Sequence, residues 1–181
     1  MGHQIPHQAW DGFFTMLGGA SGALVGLLFI VMSLHFDKLN ERNDANARVT
    51  IEGGRNNTYH LLTVLVECGL TLIPQPMAWL GAELIVVELF GLRLPLTITT
   101  RYLKQHITIS ERGRFPTAVI VTVTLLYLAG AAGGALLAAG REAGLWIFAA
   151  ATLGKVVRTV LTAWMLMFGA AHVRVEPQPK A

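Results

Sequence analysis

Five long apolar stretches alternate with polar segments along this chain of 181 residues. Each stretch is close to the roughly 20 residues that a helix needs to cross about 30 Å of hydrocarbon. The pattern predicts an all-α integral membrane bundle of about five transmembrane helices, forming one domain over residues 1–181. The expected helices are residues 10–36, 57–73, 77–96, 116–139 and 145–170. The pattern does not fix the first residue of the second helix, and a start before residue 57 is compatible with it.

A Pro74-Gln75-Pro76 motif interrupts the apolar pattern between the second and third stretches. Two prolines one residue apart remove backbone hydrogen bonds from a helix interior. We therefore predict a tight turn between two antiparallel helices. The alternative is one kinked helix, which would need about 35 apolar residues in a single span and is too long for the bilayer.

Composition points to the same class of protein and leaves no residues for a folded soluble domain. Hydrophobic residues make up 53% of the chain and charged residues 14%, whereas soluble domains carry roughly 25% charged residues. The net charge of +3 is interpreted as basic residues near helix ends that meet lipid head groups. We expect membrane lipid as a partner and no nucleic acid. The single cysteine, Cys68, has no partner for an intrachain disulfide.

Lys and Arg are concentrated in alternate connections between the apolar stretches. The segment before the first helix and the proline turn contain none. The first connection contains four, and the third, counted with the end of the third helix, contains five: Lys38, Arg42, Arg48, Arg55, then Arg93, Arg101, Lys104, Arg112 and Arg114. Because cytoplasmic loops are enriched in Lys and Arg, we predict an outside N-terminus and a cytoplasmic C-terminus.

Glycines recur at helical spacing in two of the stretches. Gly18, Gly22 and Gly26 lie four residues apart in the first, and Gly130 and Gly134 do so in the fourth. Such spacing lets helix backbones approach closely in lipid. Two interpretations are compatible with each other: packing inside one bundle, and a subunit interface of a homo-oligomer, which we expect.

Five ionisable residues fall inside the predicted spans: Glu67, Glu83, Glu88, Lys155 and Arg158. A charge at the bilayer centre costs about 2.5–3.5 kcal/mol on insertion scales, so we expect these residues to face the bundle interior or a wet cavity. A rise of about 1.5 Å per residue places Glu67 and Glu83 at similar depths near the proline turn, where their carboxylates would approach each other. It places Glu88 level with Lys155 and Arg158.

Three interpretations of these charges are open. A buried ion pair of Glu88 with Lys155 or Arg158 would fix the helix register. A polar track would carry ions or protons, with Glu67 and Glu83 as its outer acidic site. In the third interpretation, the helices begin and end at other residues than predicted, and some of the charged groups reach the membrane interface.

No motif indicates metal, cofactor or enzyme chemistry. There is no HExxH and no CxxC, and the histidines near predicted cytoplasmic helix ends or in the third connection are interpreted as ordinary interfacial residues: His35, His60, His106 and His172. The tyrosines have no evident acid–base partner: Tyr59, Tyr102 and Tyr127. We expect no metal site, no cofactor and no enzymatic activity.

Two segments resemble a known family. These are FFTMLGGASGALVGLLFIVMSLHFDKL in the first stretch, and AELIVVELFGL after the proline turn with Arg48 and Glu52 ahead of the second helix. They are similar to small bacterial membrane proteins with a WxxFFxxxGGASGALxGLLFVAxSL pattern, some of which are labelled modulators of the FtsH membrane protease. The resemblance covers about the first half of the chain. It implies a bacterial inner membrane and the same helix layout, and its motifs are packing motifs that imply no activity.

Two classes of function follow from these patterns. The first is a homo-oligomeric ion or proton pathway that uses the five intramembrane charges. The second is a non-conducting interaction or regulatory subunit that docks on another membrane complex, for example a membrane protease, through glycine-rich helix faces. Five charges inside the membrane are more than packing needs, which favours the first class.

Overall fold

The computed structural model describes residues 8–42, 45–104 and 115–171, and every regular element within them is an α-helix. The helices are α1 (Gln8–Arg42), α2 (Ala45–Leu72), α3 (Met77–Lys104), α4 (Phe115–Ala138) and α5 (Ala143–Ala171). The predicted all-α class is confirmed for this part of the chain.

The first three helices are longer than the predicted spans. α1 continues beyond residue 36, α2 begins well before residue 57 with Gly53 and Gly54 inside it, and α3 continues past residue 96. Hydropathy marks only the part of a helix that matches the hydrocarbon, whereas the backbone hydrogen bonds continue into polar sequence. The bounds of α4 and α5 lie within two residues of residues 116–139 and 145–170.

The chain reverses at the Pro74-Gln75-Pro76 motif, as the two prolines predict. Pro76 is the N-cap residue immediately before α3, since its carbonyl accepts from the backbone N–H of Trp79 at 3.0 Å and of Leu80 at 3.1 Å. Gln75 ties the turn to both helices: its Nε2 donates to the Leu70 carbonyl at 3.2 Å and to Glu83 Oε2 at 2.9 Å.

A second tight connection joins α4 to α5. Gly140 has a positive φ of 73°, its N–H donates to the Leu137 carbonyl at 2.8 Å, and the Arg141 N–H donates to the Leu136 carbonyl at 2.9 Å. This is a Schellman ending, in which glycine takes the left-handed position without a steric penalty. α5 therefore returns directly alongside α4.

The helices α2, α3, α4 and α5 form the bundle, and α1 packs on its outside. α2 contacts α3 and α5, and α4 contacts α3 and α5, which closes a ring of four. α1 packs mainly along α2, and its first turns also reach α5, where the Trp10 and Trp146 rings meet at 4.6 Å. The apolar core lies where these helices meet and includes Phe14, Val64, Leu84 and Phe148.

Glycine backbones set the closest helix approaches. A Cβ on Gly134 would lie 3.0 Å from the Gly81 carbonyl oxygen, which joins α3 to α4, and one on Gly133 would lie 2.9 Å from the Gly144 carbonyl oxygen, which joins α4 to α5. In α1 the packing against α2 becomes looser from Gly18 to Gly26. A Cβ would lie 3.1 Å from Cys68 Cβ at Gly18 and 3.9 Å from Leu65 Cδ1 at Gly22, and would meet nothing within 4 Å at Gly26.

Within the part of the chain that the structure describes, three helices are long and apolar enough to cross a membrane: Trp10–Leu34, Ile120–Ala138 and Ala143–Trp164. The described surface is correspondingly apolar, with Trp79, Val86 and Trp146 each more than 60% exposed, while one charged side chain in each of α2, α3 and α5 is buried. Large exposed apolar surfaces mark membrane or protein contacts in general. Together these features indicate a membrane protein.

Candidate functional site

Three charged side chains from three helices meet inside the bundle. Lys155 Nζ of α5 lies 2.5 Å from Glu67 Oε1 of α2 and 2.7 Å from Glu88 Oε1 of α3. All three residues are at most 3% exposed. We call this cluster the Glu67–Lys155–Glu88 triad.

The direction of each helix explains why these side chains converge. A Cα–Cβ bond tilts towards the N-terminus of its helix. α2 ends at the proline turn, so Glu67 leans away from that turn, whereas α3 begins there, so Glu88 leans towards it. Lys155 lies on α5, which runs antiparallel to α2, and its long side chain leans towards Glu67. The three charged groups therefore meet at one level although their Cα atoms start at different depths.

Spacing within α2 and α5 places further polar groups on the same interior faces. Asn57, His60 and Glu67 recur at separations of three and seven residues on α2, and Thr152, Lys155 and Thr159 at three and four on α5, which puts each set on one helix face. All of these side chains are buried. The Thr152 hydroxyl lies 3.2 Å from Glu67 Oε2 and 2.9 Å from the Phe148 carbonyl, so its single proton is shared between the two.

Electrostatics of the triad are unbalanced when all three groups are ionised, since two carboxylates face one ammonium. A buried ion pair is stable only when Coulomb attraction and hydrogen bonds offset the loss of hydration. Lys155 gains further contact from the Tyr127 ring, whose centroid lies 4.8 Å from Nζ, a cation–π geometry. The excess charge of the three groups is −1, which gives them capacity for one proton.

Two glycines make room for the site. A Cβ on Gly130 of α4 would lie 3.0 Å from Glu88 Oε2 and closer still to Oε1. A Cβ on Gly91 of α3 would lie 2.8 Å from Cζ of the Tyr127 ring. Gly130, which the sequence suggested as a helix-packing or interface residue, therefore accommodates a carboxylate.

The polar interior continues from the triad towards the N-terminal part of α2. The Tyr127 hydroxyl lies 2.7 Å from His60 Nδ1, and both side chains are buried. Further along, both amide atoms of Asn57 and the Nε of Arg158 are buried without a hydrogen-bond partner among the described residues. Glu88 Oε2 is in the same state at the triad. Buried polar groups of this kind are normally satisfied, often by ordered water.

The five charged residues singled out in the sequence do not form one cluster. Glu88 pairs with Lys155, one of the two cations predicted at its depth, and Glu67 joins the same lysine. Glu83, expected beside Glu67, is half-buried and accepts from Gln75 instead. Arg158 belongs to neither of the ion pairs found in the described part of the chain. The outer acidic pair of Glu67 and Glu83 is therefore replaced by Glu67 with Lys155.

Sequence reasoning missed Tyr127 and His60. The sequence shows no acid–base partner for Tyr127, whereas the structure places its hydroxyl beside His60. His60 was assigned to a helix end because the second helix was predicted from residue 57, but α2 begins at Ala45 and places it inside the bundle. The spacing of Asn57, His60 and Glu67 was the available signal.

Among the described side chains, no group of three His, Cys, Asp or Glu residues is arranged to hold a metal ion. His106 and His172 lie outside the described residues, as does the side chain of His35.

Comparisons with known proteins add no identification. No model of a protein family, no curated protein and no solved structure matches this chain.

Proposed function

We propose that this chain is a multi-pass protein of a bacterial inner membrane that works as a homo-oligomer and transfers protons through its bundle. All five helices cross the bilayer, with the proline turn outside and the C-terminus in the cytoplasm. The alternation of Lys and Arg between connections supports this orientation. α2 and α3 are the two helices beyond the three apolar ones, and their acidic residues Glu67 and Glu88 are buried in the bundle rather than exposed to lipid.

One observation carries the proposal: Lys155 is shared by two buried carboxylates inside the bundle. With about 1.5 Å per residue, Glu88 lies about 17 Å from the start of α3 and Lys155 about 18 Å from the start of α5, near the middle of a 30 Å hydrocarbon layer. Ionisable groups at that depth are costly and usually belong to an ion or proton path.

The arrangement suits protons better than metal cations. Lys155 places a fixed positive charge in the path, and the Tyr127 and Phe148 rings lie 4.8 and 6.0 Å from its Nζ. A sodium or potassium ion would have to displace the Lys155 ammonium from both carboxylates and would need a wider passage. A proton needs only hydrogen-bonding groups within reach. The triad, the Tyr127–His60 pair and the unpartnered atoms of Asn57 and Arg158 provide such groups on successive levels.

A proton entering from the proline-turn side first meets Glu67. Protonation of Glu67 neutralises the excess charge of the triad and weakens the bond between Glu67 and Lys155, while the Lys155 ammonium stays bonded to Glu88. Release towards the cytoplasm then proceeds through the level of Tyr127 and His60, with water bridging to Asn57 and Arg158.

Proton flux in proteoliposomes tests the proposal. A pH dye trapped inside vesicles containing the purified chain should report flux under an imposed voltage or pH gradient. Glu67→Gln and Glu88→Gln should each lower it by roughly 100-fold or more, the range for a positioned proton-transfer group. Glu83→Gln is the matched control and should conduct like the parent, because Glu83 bonds to Gln75 outside the triad.

Insertion and oligomer size must be equal in all variants. Flux that Glu83→Gln lowers as much as Glu67→Gln would refute the triad as the pathway, and sodium or potassium flux would refute the choice of proton. The absence of any flux would favour the non-conducting interaction subunit instead. The open face of α1 around Gly26, where a Cβ would meet nothing within 4 Å, supports that second candidate.

A further inference from the structure

A groove opens between α1 and α2, away from the triad. Its volume is about 580 Å³, within the roughly 300–1,000 Å³ range of ligand sites. The walls are mainly apolar, with Phe29 and Met32 on α1 and Leu62 on α2. Gly54 lines it and lets Met32 pack against the backbone of α2, because a Cβ there would lie 2.8 Å from the Met32 sulfur.

One end of the groove is cationic. Arg55 lines it and is exposed, and it belongs to neither ion pair of the described residues. Tyr59, one turn further along α2, presents its ring beside the apolar wall while its hydroxyl donates to the Phe90 carbonyl at 3.2 Å. The groove therefore joins an apolar trough to a guanidinium, which binds phosphate with two parallel hydrogen bonds.

The depths of the guanidinium and of the apolar trough in the membrane match those of the head group and the acyl chain of a lipid. Arg55 lies 17 residues before Leu72, the last residue of α2, which is about 26 Å along the helix axis. If the proline turn lies at one face of a hydrocarbon layer about 30 Å thick, the Arg55 Cα is about 4 Å inside the other face, and its side chain, which leans towards the N-terminus of α2, reaches the phosphate level. Leu62 lies seven residues further along α2, about 10 Å deeper than Arg55.

We propose that this groove is a binding site for an anionic phospholipid of the cytoplasmic leaflet, with its phosphate on Arg55 and an acyl chain along Phe29, Met32 and Leu62. Basic pockets between membrane helices on the cytoplasmic side hold anionic head groups in this way. The methionine wall adapts to a flexible chain. This inference rests on the membrane orientation proposed above and not on proton transfer.

Native mass spectrometry of the full chain in detergent tests the site. The protein is mixed with equal amounts of dioleoyl phosphatidylglycerol and dioleoyl phosphatidylcholine, and bound lipid is counted. The parent should prefer phosphatidylglycerol, and Arg55→Gln should reduce that preference about fivefold, the effect of one basic residue at an anionic surface. Arg93→Gln is the matched control, since Arg93 is exposed, lies over Phe90 and does not line the groove.

A second variant tests the apolar half. Leu62→Trp should fill the trough and lower binding of both lipids while keeping the preference; Phe29→Trp replaces it if Leu62→Trp does not fold by circular dichroism. Equal effects of Arg55→Gln and Arg93→Gln would overturn the proposal, as would a parent without preference. Competition by glycerol 3-phosphate at the same concentration as the lipid would also overturn it, because the acyl chain would then contribute nothing.

Discussion

Lys155 is the residue on which the buried charges depend. Its ammonium is the common partner of Glu67 and Glu88, at 2.5 and 2.7 Å. Removing one carboxylate leaves a balanced pair, whereas removing the lysine leaves two buried carboxylates facing each other. The three substitutions are therefore not equivalent, although each deletes one member of the same triad.

Lys155→Met should destabilise the bundle by about 3–5 kcal/mol at neutral pH, the cost of an uncompensated buried charge. Glu88→Gln should cost clearly less. The loss in Lys155→Met should shrink as the pH is lowered, since one carboxylate then binds a proton and the repulsion ends. Unfolding in mixed detergent micelles, followed by circular dichroism at several pH values, measures both variants. A larger loss for Glu88→Gln would contradict the shared-lysine arrangement.

At the scale of the helices, glycine contacts decide how closely α3, α4 and α5 approach. Gly81→Ala places a methyl group against the backbone of α4, 2.9 Å from Ala138 Cα and nearer still to other backbone atoms. Backbone cannot swing aside as a side chain can, so the expected cost is about 1–3 kcal/mol.

Gly69→Ala on α2 is the matched control, because nothing lies within 4 Å of a Cβ there and alanine is the better helix former. Gly69→Ala should be neutral or slightly stabilising in the same unfolding measurement. Equal losses at Gly69 and Gly81 would show that the loss comes from the substitution itself and not from the α3–α4 contact.

The five helices and the proline turn follow from sequence because apolar length and prolines act locally. The start of α2 does not, since its polar first turns lie outside the hydrocarbon-length pattern. Counting residues along the helices places Glu88 and Lys155 at the same depth and Glu67 at a different one. The count gives the depth of Cα atoms, whereas side chains on antiparallel helices lean in opposite directions, which brings the Glu67 carboxylate to the level of Lys155. Gly130 was visible as a small residue, but only the packed structure relates it to Glu88.

At the scale of the whole molecule, orientation in the membrane is the property that the proposals share. A cysteine introduced in the α4–α5 turn, Glu142→Cys, should react with a membrane-impermeant maleimide in intact cells. Arg42→Cys, at the end of α1, should react only after permeabilisation. Both variants need a Cys68→Ala background, in which the buried native thiol is removed. The reverse labelling pattern would place the proline turn in the cytoplasm and invert the pathway.

The order in which the triad is synthesised has a consequence for biogenesis. Glu67 and Glu88 precede Lys155 by 88 and 67 residues, so the acidic hairpin of α2 and α3 leaves the ribosome well before its cation. Until α5 arrives, both acids lack the counter-ion that makes their burial tolerable. The last helix therefore supplies the positive charge that both buried acids need. A nascent chain halted after α4 should be a substrate for membrane quality control.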